Sequence, residues 1–410
     1  SPVSGLLNIL ALHSADPNDE DATKAIAHFD GWLWEDDKDG TRVTGARSAI
    51  WDTGFAAQTL AAAKPHADVT ASLTKADSFL ASQQIRVSFP DFEKHHRIDA
   101  KGGYPFSWVW HGWPVSDCTA EALLGRLEAH EAIETAVSDD DLAMGASFIL
   151  RAQARDGGFG SYEPRKGRMS LEWLNPAEMF GDSMTEHSYP ECTASCIAAL
   201  ARIAKDRPLL LRRPADLASQ GVASPELAGI PAAIQRATLH LRRLQQPEGS
   251  WHGVWGVHFI YGTMFGIRGL LAGGVPPTDP AIRRATSWLK AHQRPDGSWG
   301  ERHSPHATSY IESEEGQVVQ TAWALSALLE AKDPDWDVLE RAARFIARAQ
   351  LGSGEWPRQA PHGIFFHTAL LEYAMYKSYF PLWALASFET RRKARNLLLD
   401  EVKRASVAAE

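Results

Sequence analysis

Asp117 stands between Ser116 and Cys118 in Val115-Ser116-Asp117-Cys118-Thr119-Ala120-Glu121, and a second thiol has a similar setting in Tyr189-Pro190-Glu191-Cys192-Thr193-Ala194. A single carboxyl group at the head of an expected helix, with thiols near enough to donate hydrogen bonds, has the makings of a general acid. Phe106, Trp108, Trp110 and Trp113 lie directly upstream. Aromatic faces stabilise cationic charge at roughly 0.5–2 kcal/mol per contact when desolvated, and they do not attack it. No activated nucleophile or metal set accompanies the acid. The chemistry these residue types suit is therefore protonation to a carbocation and guidance of that cation.

The proton affinity of Asp117 is pulled two ways. Burial among aromatics raises a carboxyl pKa, whereas a helix N-terminus and thiol donors lower it. The residues alone leave the winner open. The bland reading keeps Asp117 as a helix-start residue and the cysteines as small core fillers.

Two metal readings fail on spacing. Asp139-Asp140-Asp141 precedes an apolar helix and reads as capping, with Ala at 143 where a diphosphate–magnesium site would want a carboxylate. Asp36-Asp37-Lys38-Asp39-Gly40 lacks the Glu a calcium loop requires and reads as a turn. Cys192 and Cys196 lack a second ligand pair at zinc spacing, so no metal is expected. No phosphate-cradling glycine loop appears, so no nucleotide cofactor is expected either.

Elements that position such a site are legible in the periodicity. Apolar residues recur at helical spacing in Thr53–Ala63, Thr119–His130, Leu142–Ala152, Glu191–Ile203, Ala281–His292, Val318–Ala331 and Val338–Ala349. Turn signals separate them, and Asp206–Pro231 reads as an extended helix–helix loop. A repeat overlies this pattern: Gln153 with Gly157-Gly158-Phe159, Gln245 with Gly249-Ser250-Trp251, Gln293 with Gly297-Ser298-Trp299, and Gln350 with Gly354-Glu355-Trp356. The last three recur at roughly 50 residues, about one helix pair each. The glutamine amide is expected to meet the orphan carbonyls of its helix end, with the indole packed over the next hairpin. Helix pairs at this period stack into either an open solenoid or a closed barrel; buried aromatics and few charges at the helix starts favour closure around a cavity, so the expectation is an all-α fold, an α/α toroid (α6–α6 barrel), taken as one domain over residues 1–410.

Bulk properties agree with a globular chain. Of 410 residues, 44% are hydrophobic and 23% charged, and 15 are Trp. A net charge of −9 argues against a nucleic-acid partner. Three cysteines cannot all pair, so free thiols are expected. No apolar run of about 18 residues predicts a membrane span, and no signal peptide is visible. The chain opens Ser1-Pro2 rather than with Met, which suggests a start further upstream.

Longer motifs carry a resemblance. These are Ile50-Trp51-Asp52-Thr53-Gly54-Phe55-Ala56, Lys101-Gly102-Gly103-Tyr104-Pro105-Phe106-Ser107, Leu171-Glu172-Trp173-Leu174-Asn175-Pro176-Ala177-Glu178 with Phe180-Gly181-Asp182, Gly253-Val254-Trp255-Gly256-Val257-His258-Phe259-Ile260-Tyr261-Gly262-Thr263, and Phe380-Pro381-Leu382-Trp383-Ala384-Leu385. Together with Val115–Glu121 they resemble the triterpene cyclases, specifically the oxidosqualene cyclases, in their C-terminal half. Squalene-using members resemble Asp-x-Asp-Asp at the acid; Ser116-Asp117-Cys118 is similar to the epoxide-using version. An epoxide oxygen is far more basic than an alkene, so one carboxylic acid with hydrogen-bond help suffices.

The resemblance implies Asp117 as general acid, assisted by Cys118 and Cys192. It implies a substrate- and cation-binding set of Trp51, Phe106, Tyr162, Trp255, Phe365, Tyr373 and Tyr376, the last two in a final cavity-lining helix. His111 resembles cycloartenol-forming members and Val115 lanosterol-forming ones, while Thr44-Gly45-Ala46-Arg47 departs from the family, so the product stays open. The implied substrate is an isoprenoid, 2,3-oxidosqualene, and the implied partners are a membrane surface, contacted without spanning it, and a second, N-terminal barrel absent from this chain or supplied by a separate subunit. A squalene or other class II terpene cyclase, and a non-catalytic lipid-binding half-barrel, are the competing readings.

Overall fold

In the computed structural model, all residues are described except 1, 38–39, 44–46, 165–168, 176–183, 212–224, 306, 366–367 and 409–410. Parts of four sequence readings thus lie outside the described residues: the acidic loop at 36–40, the segment 44–47, the Pro176–Asp182 stretch and the middle of the 206–231 connection. The flanks of that connection fold as short 3-10 turns, Pro208–Leu211 and Pro225–Gly229.

Residues Ser1–Ala49 form one compact unit and Ile50–Glu410 another. The small unit holds helices α1 (Pro2–Ala15) and α2 (Glu20–Phe29) and a hairpin pairing Leu33–Asp36 with Gly40–Val43. Leu6, Leu7 and Leu10 of α1 are exposed.

The large unit is built from helix hairpins. Its helices are α3 (Ala49–Ala63), α4 (Thr70–Gln83), α5 (Ser116–Ala132), α6 (Asp139–Ala152), α7 (Pro190–Asp206), α8 (Ile230–Leu244), α9 (His258–Ala272), α10 (Pro280–Ala291), α11 (Val318–Glu330), α12 (Trp336–Arg348) and α13 (Tyr376–Ala408). Two kinds alternate. Helices α5, α7, α9 and α11 are buried on nearly every side, the signature of a helix surrounded by protein. Helices α8, α10 and α12 bury one stripe only, as in Val338, Leu339, Ala342, Ala343 and Ile346 of α12. The buried kind packs side by side, α5 on α7, α7 on α9, α9 on α11 and α11 on α13.

The ring closes through α3. Trp51 Nε1 donates to the Tyr376 hydroxyl at 3.0 Å, Thr59 Oγ1 donates to the Tyr379 carbonyl at 3.2 Å, and Phe55 stacks on Tyr379 at 5.7 Å. On its other side α3 meets α5 so closely that a Cβ on Gly125 would sit 2.6 Å from the Gly54 carbonyl. Among the described residues, six inner helices thus surround one axis, with α4, α6, α8, α10 and α12 outside, which is an all-α toroid.

The repeat has a defined bonding pattern, different from the one expected. It is the indole, not the glutamine, that meets the carbonyls of the preceding helix. Nε1 of Trp251, Trp299 and Trp356 donates to the carbonyl of Leu241, Leu289 and Ile346, at 2.7–2.9 Å. Each glutamine instead reaches forward: Gln293 Nε2 donates to Gly297 O and to Val338 O in the next outer helix, while its Oε1 accepts from Arg341. Gln245 does the same with Gly249, Ala281 and Arg284. The turn glycine cannot be replaced cheaply: Gly297 has φ +91°, and a Cβ there would lie 2.6 Å from Arg341 O. The repeat is therefore a stitch between neighbouring hairpins. Trp299→Phe should leave the Leu289 carbonyl with the His292 N–H alone and cost about 0.5–1.5 kcal/mol, the worth of one hydrogen bond. An unchanged urea midpoint would show that the stitch carries no stability.

Candidate active site

Alternation of outer and inner helices makes every inner helix run the same way, so their N-terminal ends meet at one end of the ring. Start contacts start throughout: Trp51 with Tyr376, Cys192 with Asp117, Tyr261 with Trp323, and Trp323 with Tyr376. Residues far apart in sequence are gathered there.

Asp117 is the second residue of α5 and is only 5% exposed. Its Oδ1 accepts the Cys118 backbone N–H at 2.8 Å, and its Oδ2 accepts from Cys192 Sγ, at the third position of α7, at 3.4 Å. Burial dominates and pushes its pKa up to about 6; the Cys192 thiol and the Cys118 N–H oppose that, Glu121 adds to it, and the Cys118 thiol gives the smallest opposing contribution. All three cysteines are free and buried, and their pKa values lie well above the ordinary thiol value, first through desolvation and then through the nearby Asp117 carboxyl. They remain protonated donors. The balance left open by the sequence is thus decided for burial: a carboxylic acid that keeps its proton into the mildly acidic range and carries donors ready to stabilise the anion.

Aromatic side chains continue from the acid in two directions. On one side Trp255, half-buried, meets Phe365 at 5.8 Å and Tyr189 at 6.4 Å. On the other, Tyr373 and Tyr376 stack at 4.4 Å, Phe106 meets Tyr373 edge-on at 6.2 Å, and Trp51 bonds the Tyr376 hydroxyl. Tyr162 packs on Trp113 at 5.0 Å, and its pKa is pushed up by burial, then by Cys118 and Asp117. Val115 is buried at the N-cap of α5, paired with Tyr104 in a short strand. Two placements differ from expectation. Tyr373 does not belong to the final helix: it lies in the turn before α13, which begins at Tyr376, while Phe365 ends the strand Gly363–Phe365. His111 is exposed at the end of a 3-10 turn with its ring edge-on to Trp110, and is not brought to the acid. Similarly, Asp141 does not cap its helix; it pairs with Arg86 at 2.5 Å and Arg126 at 2.9 Å.

Several residues of the site carried no signal of their own. Ser161, next to Tyr162, bridges Trp255 and Cys192. Glu191, inside the second thiol motif, accepts the Val254 and Trp255 N–H groups at 2.7 Å each and so fixes the backbone that presents Trp255. Tyr261 is fully buried between Phe265 and Trp323, with its pKa raised by burial, then by Tyr376, Glu191 and Asp117. One turn deeper, Glu121 accepts from Ser195 Oγ at 2.6 Å, Gln58 Nε2 at 2.7 Å and Arg268 Nη1 at 3.1 Å, tying α3, α5, α7 and α9 together below the acid.

The squalene-hopene cyclase C-terminal domain model matches residues 47–213 and 222–390. The chain belongs to that family. It is 37% identical over 391 residues to the cycloartenol synthase of Dictyostelium discoideum, covering 94% of this chain and 53% of that protein. With the human lanosterol synthase it shares 34% over 399 residues, covering 94% of this chain and 52% of that one. The chain thus spans about half the length of these curated relatives. Among solved structures, an ent-copalyl diphosphate synthase from Streptomyces platensis superposes with a TM-score of 0.54 at 19% identity, covering 83% of this chain and 50% of that one. The type II terpene cyclase MstE from Scytonema superposes at 0.51 and 17% identity, over 94% of this chain and 97% of that one. Both place the toroid among class II terpene cyclase folds.

Proposed function

We propose that this chain is the acid-bearing barrel of an oxidosqualene cyclase, and that Asp117 starts the reaction. The observation that carries the reading is a buried Asp117, its pKa pushed up to about 6, held by a Cys192 thiol at the end of the ring where Trp51, Phe106, Trp255, Phe365, Tyr373 and Tyr376 gather. Asp117 delivers its proton to the oxygen of (3S)-2,3-oxidosqualene. The C–O bond breaks as the nearest alkene supplies the electron pair of the first carbon–carbon bond, and the positive charge moves along the folded chain. Cys118 and Cys192 stabilise the carboxylate left behind. The aromatic faces hold each cation, and exclusion of water keeps it from early capture. Loss of a proton to a base ends the sequence and leaves a sterol precursor of the lanosterol or cycloartenol type.

The substrate and the membrane surface from which so insoluble a molecule is drawn are parts of this reading, as is a second barrel that completes the cavity. Support for the second barrel is that the curated relatives are about twice as long. A second reading, a class II cyclase working alone on another isoprenoid, draws on the nearly complete coverage of MstE. One experiment separates them. The chain is incubated with oxidosqualene and with squalene, alone and joined to the N-terminal barrel of a lanosterol synthase. The first reading expects a tetracyclic product from oxidosqualene only, and only with both barrels. Clean cyclisation by the monomeric chain alone would overturn the two-barrel requirement. Turnover of squalene in place of the epoxide would overturn the substrate.

A further inference from the structure

The side chain of Ser161 is fully buried between the acid's thiol partner and the indole of Trp255. Trp255 Nε1 lies 2.9 Å from Ser161 Oγ, Ser161 Oγ lies 3.6 Å from Cys192 Sγ, and Cys192 Sγ lies 3.4 Å from Asp117 Oδ2. The direction of this chain is fixed at its far end, because an indole nitrogen only donates. Ser161 Oγ therefore accepts from Trp255 and has its own proton left for the Cys192 sulfur. With that lone pair engaged, the Cys192 thiol points its proton at the carboxyl. The opposite polarity, with the thiol donating to Ser161, would fill both lone pairs of the serine oxygen, turn its proton away from the sulfur, and leave Asp117 Oδ2 without its thiol donor.

The strap bearing Ser161 is itself anchored to the acid helix. Ser116 Oγ donates to Gly160 O at 2.6 Å, the Ser116 N–H donates to Ser161 O at 2.8 Å, and the Ser161 N–H donates to Glu186 Oε1 at 3.1 Å. Hydrogen bonds thus tie this serine both to the start of the acid helix and to Trp255.

We infer that Ser161 is a positioning residue, which uses the Trp255 N–H to orient the Cys192 thiol onto Asp117. The aromatic residue that would face the cation thereby also tunes the acid that creates it. The inference rests on the reading of Asp117 as the acid, and its test does not use turnover.

The carboxyl of Asp117 is titrated by infrared difference spectroscopy in the 410-residue chain, with the Asp117→Asn protein as blank. Removing the Ser161 hydroxyl weakens the thiol as a donor, and hydrogen-bonded chains strengthen each link by some 10–30%. Ser161→Ala is expected to move the titration upward by about half a pH unit. Trp255→Phe keeps a ring but frees Ser161 to accept from Cys192, and is expected to move it upward at least as far. The other titratable groups around the acid stay in place in both variants: Cys118 and Glu121 on its own helix, Glu191, Cys192 and Cys196 on α7, Tyr261 on α9, Tyr373 in the turn before α13 and Tyr376 at its start, and Tyr162 and Glu186 on the strap side. An Asp117 titration in folded Ser161→Ala that superimposes on the wild type overturns the inference, as does an unmoved one in folded Trp255→Phe. Should Asp117→Asn still cyclise oxidosqualene, the acid reading falls, while the two titrations still decide whether Ser161 orients the thiol.

Discussion

Asp117→Asn, in the chain joined to its second barrel, is expected to lower oxidosqualene cyclisation by at least about a thousandfold while leaving the protein folded. Asn keeps the shape and the oxygen that accepts the Cys118 N–H, but its amide has no proton of useful acidity. Stability should move the other way as the pH rises. Asp117 has a folded pKa pushed up to about 6 by burial, above the ordinary carboxyl value of 3.8. A group raised in this way binds its proton more tightly in the folded state. Its contribution is full below about pH 4 and is lost as the pH climbs through about 6, roughly 3 kcal/mol in all. Asn never ionises, so the variant should gain on the wild type between those values and hold that gain at pH 8, in urea melts at each pH. The same titration shapes activity: wild-type turnover should fall by about tenfold per pH unit above about pH 6, as the acid loses its proton. Retained turnover in Asp117→Asn, or a wild-type rate flat from pH 5 to pH 8, would show that another group starts the reaction.

Arg268→Met is expected to destabilise the large unit by about 3–5 kcal/mol, because it strips the cation from a carboxylate that cannot reach water. Glu121 is fully buried, and Arg268 reaches it through Nη1 at 3.1 Å while Nη2 donates to Gln58 Oε1 at 2.6 Å. Gln58 closes the loop by donating to Glu121 Oε2. With the guanidinium gone, Gln58 and Ser195 still donate to the carboxylate, but the charge is unpaired. The double variant Arg268→Met, Glu121→Leu removes both charges and should recover most of the loss, since apolar pairs of similar volume often match a buried ion pair. Comparing urea midpoints for the two singles and the double gives the coupling. A single variant as stable as the wild type would mean that the network is bridged by something other than the ion pair.

The two predictions concern neighbouring layers of one end of the ring, and the layers differ in kind. Glu121 takes its donors from three other helices, α3, α7 and α9, and fixes their positions relative to its own. Asp117, one turn nearer the mouth, is left with weak thiol donors and one backbone N–H, and among the described residues no cation is among the strongest influences on it. A carboxyl so placed keeps its proton at little cost and can give it up to a more basic atom. Placing the rigid ion pair below the acid holds the acid still without neutralising it.

Much of the architecture was written locally. Helical periodicity in Thr119–His130, Glu191–Ile203 and Val318–Ala331 marked three inner helices, because a buried helix needs apolar residues at the right spacing whatever surrounds it. Periodicity did not mark α1, α2, α4, α8, α9 or α13, although the resemblance implied a final helix at Tyr376: α8 and α13 carry many charges, and α9 is broken by glycines that serve close packing. The stitch of Gln, Gly and Trp was visible as a repeat, but not which group bonds which carbonyl, since Gln245 and Gln293 bond forward into the following hairpin. The motif around Asp117, with Cys118 and Cys192, determined by itself that an acid with thiol neighbours stands at helix starts, and the long matching blocks determined the family. Tertiary structure alone decided the rest. Only the closed ring turns six helix starts into one mouth, so that Trp51 meets Tyr376 and Cys192 meets Asp117 across 325 and 75 residues of chain. Only burial settles the proton on Asp117 against the pull of its donors, and only packing tells a cavity aromatic from a surface one: His111, six residues before the acid in sequence, ends exposed, because the 3-10 turn Val109–His111 carries it out to solvent before the strand Pro114–Val115 turns inward.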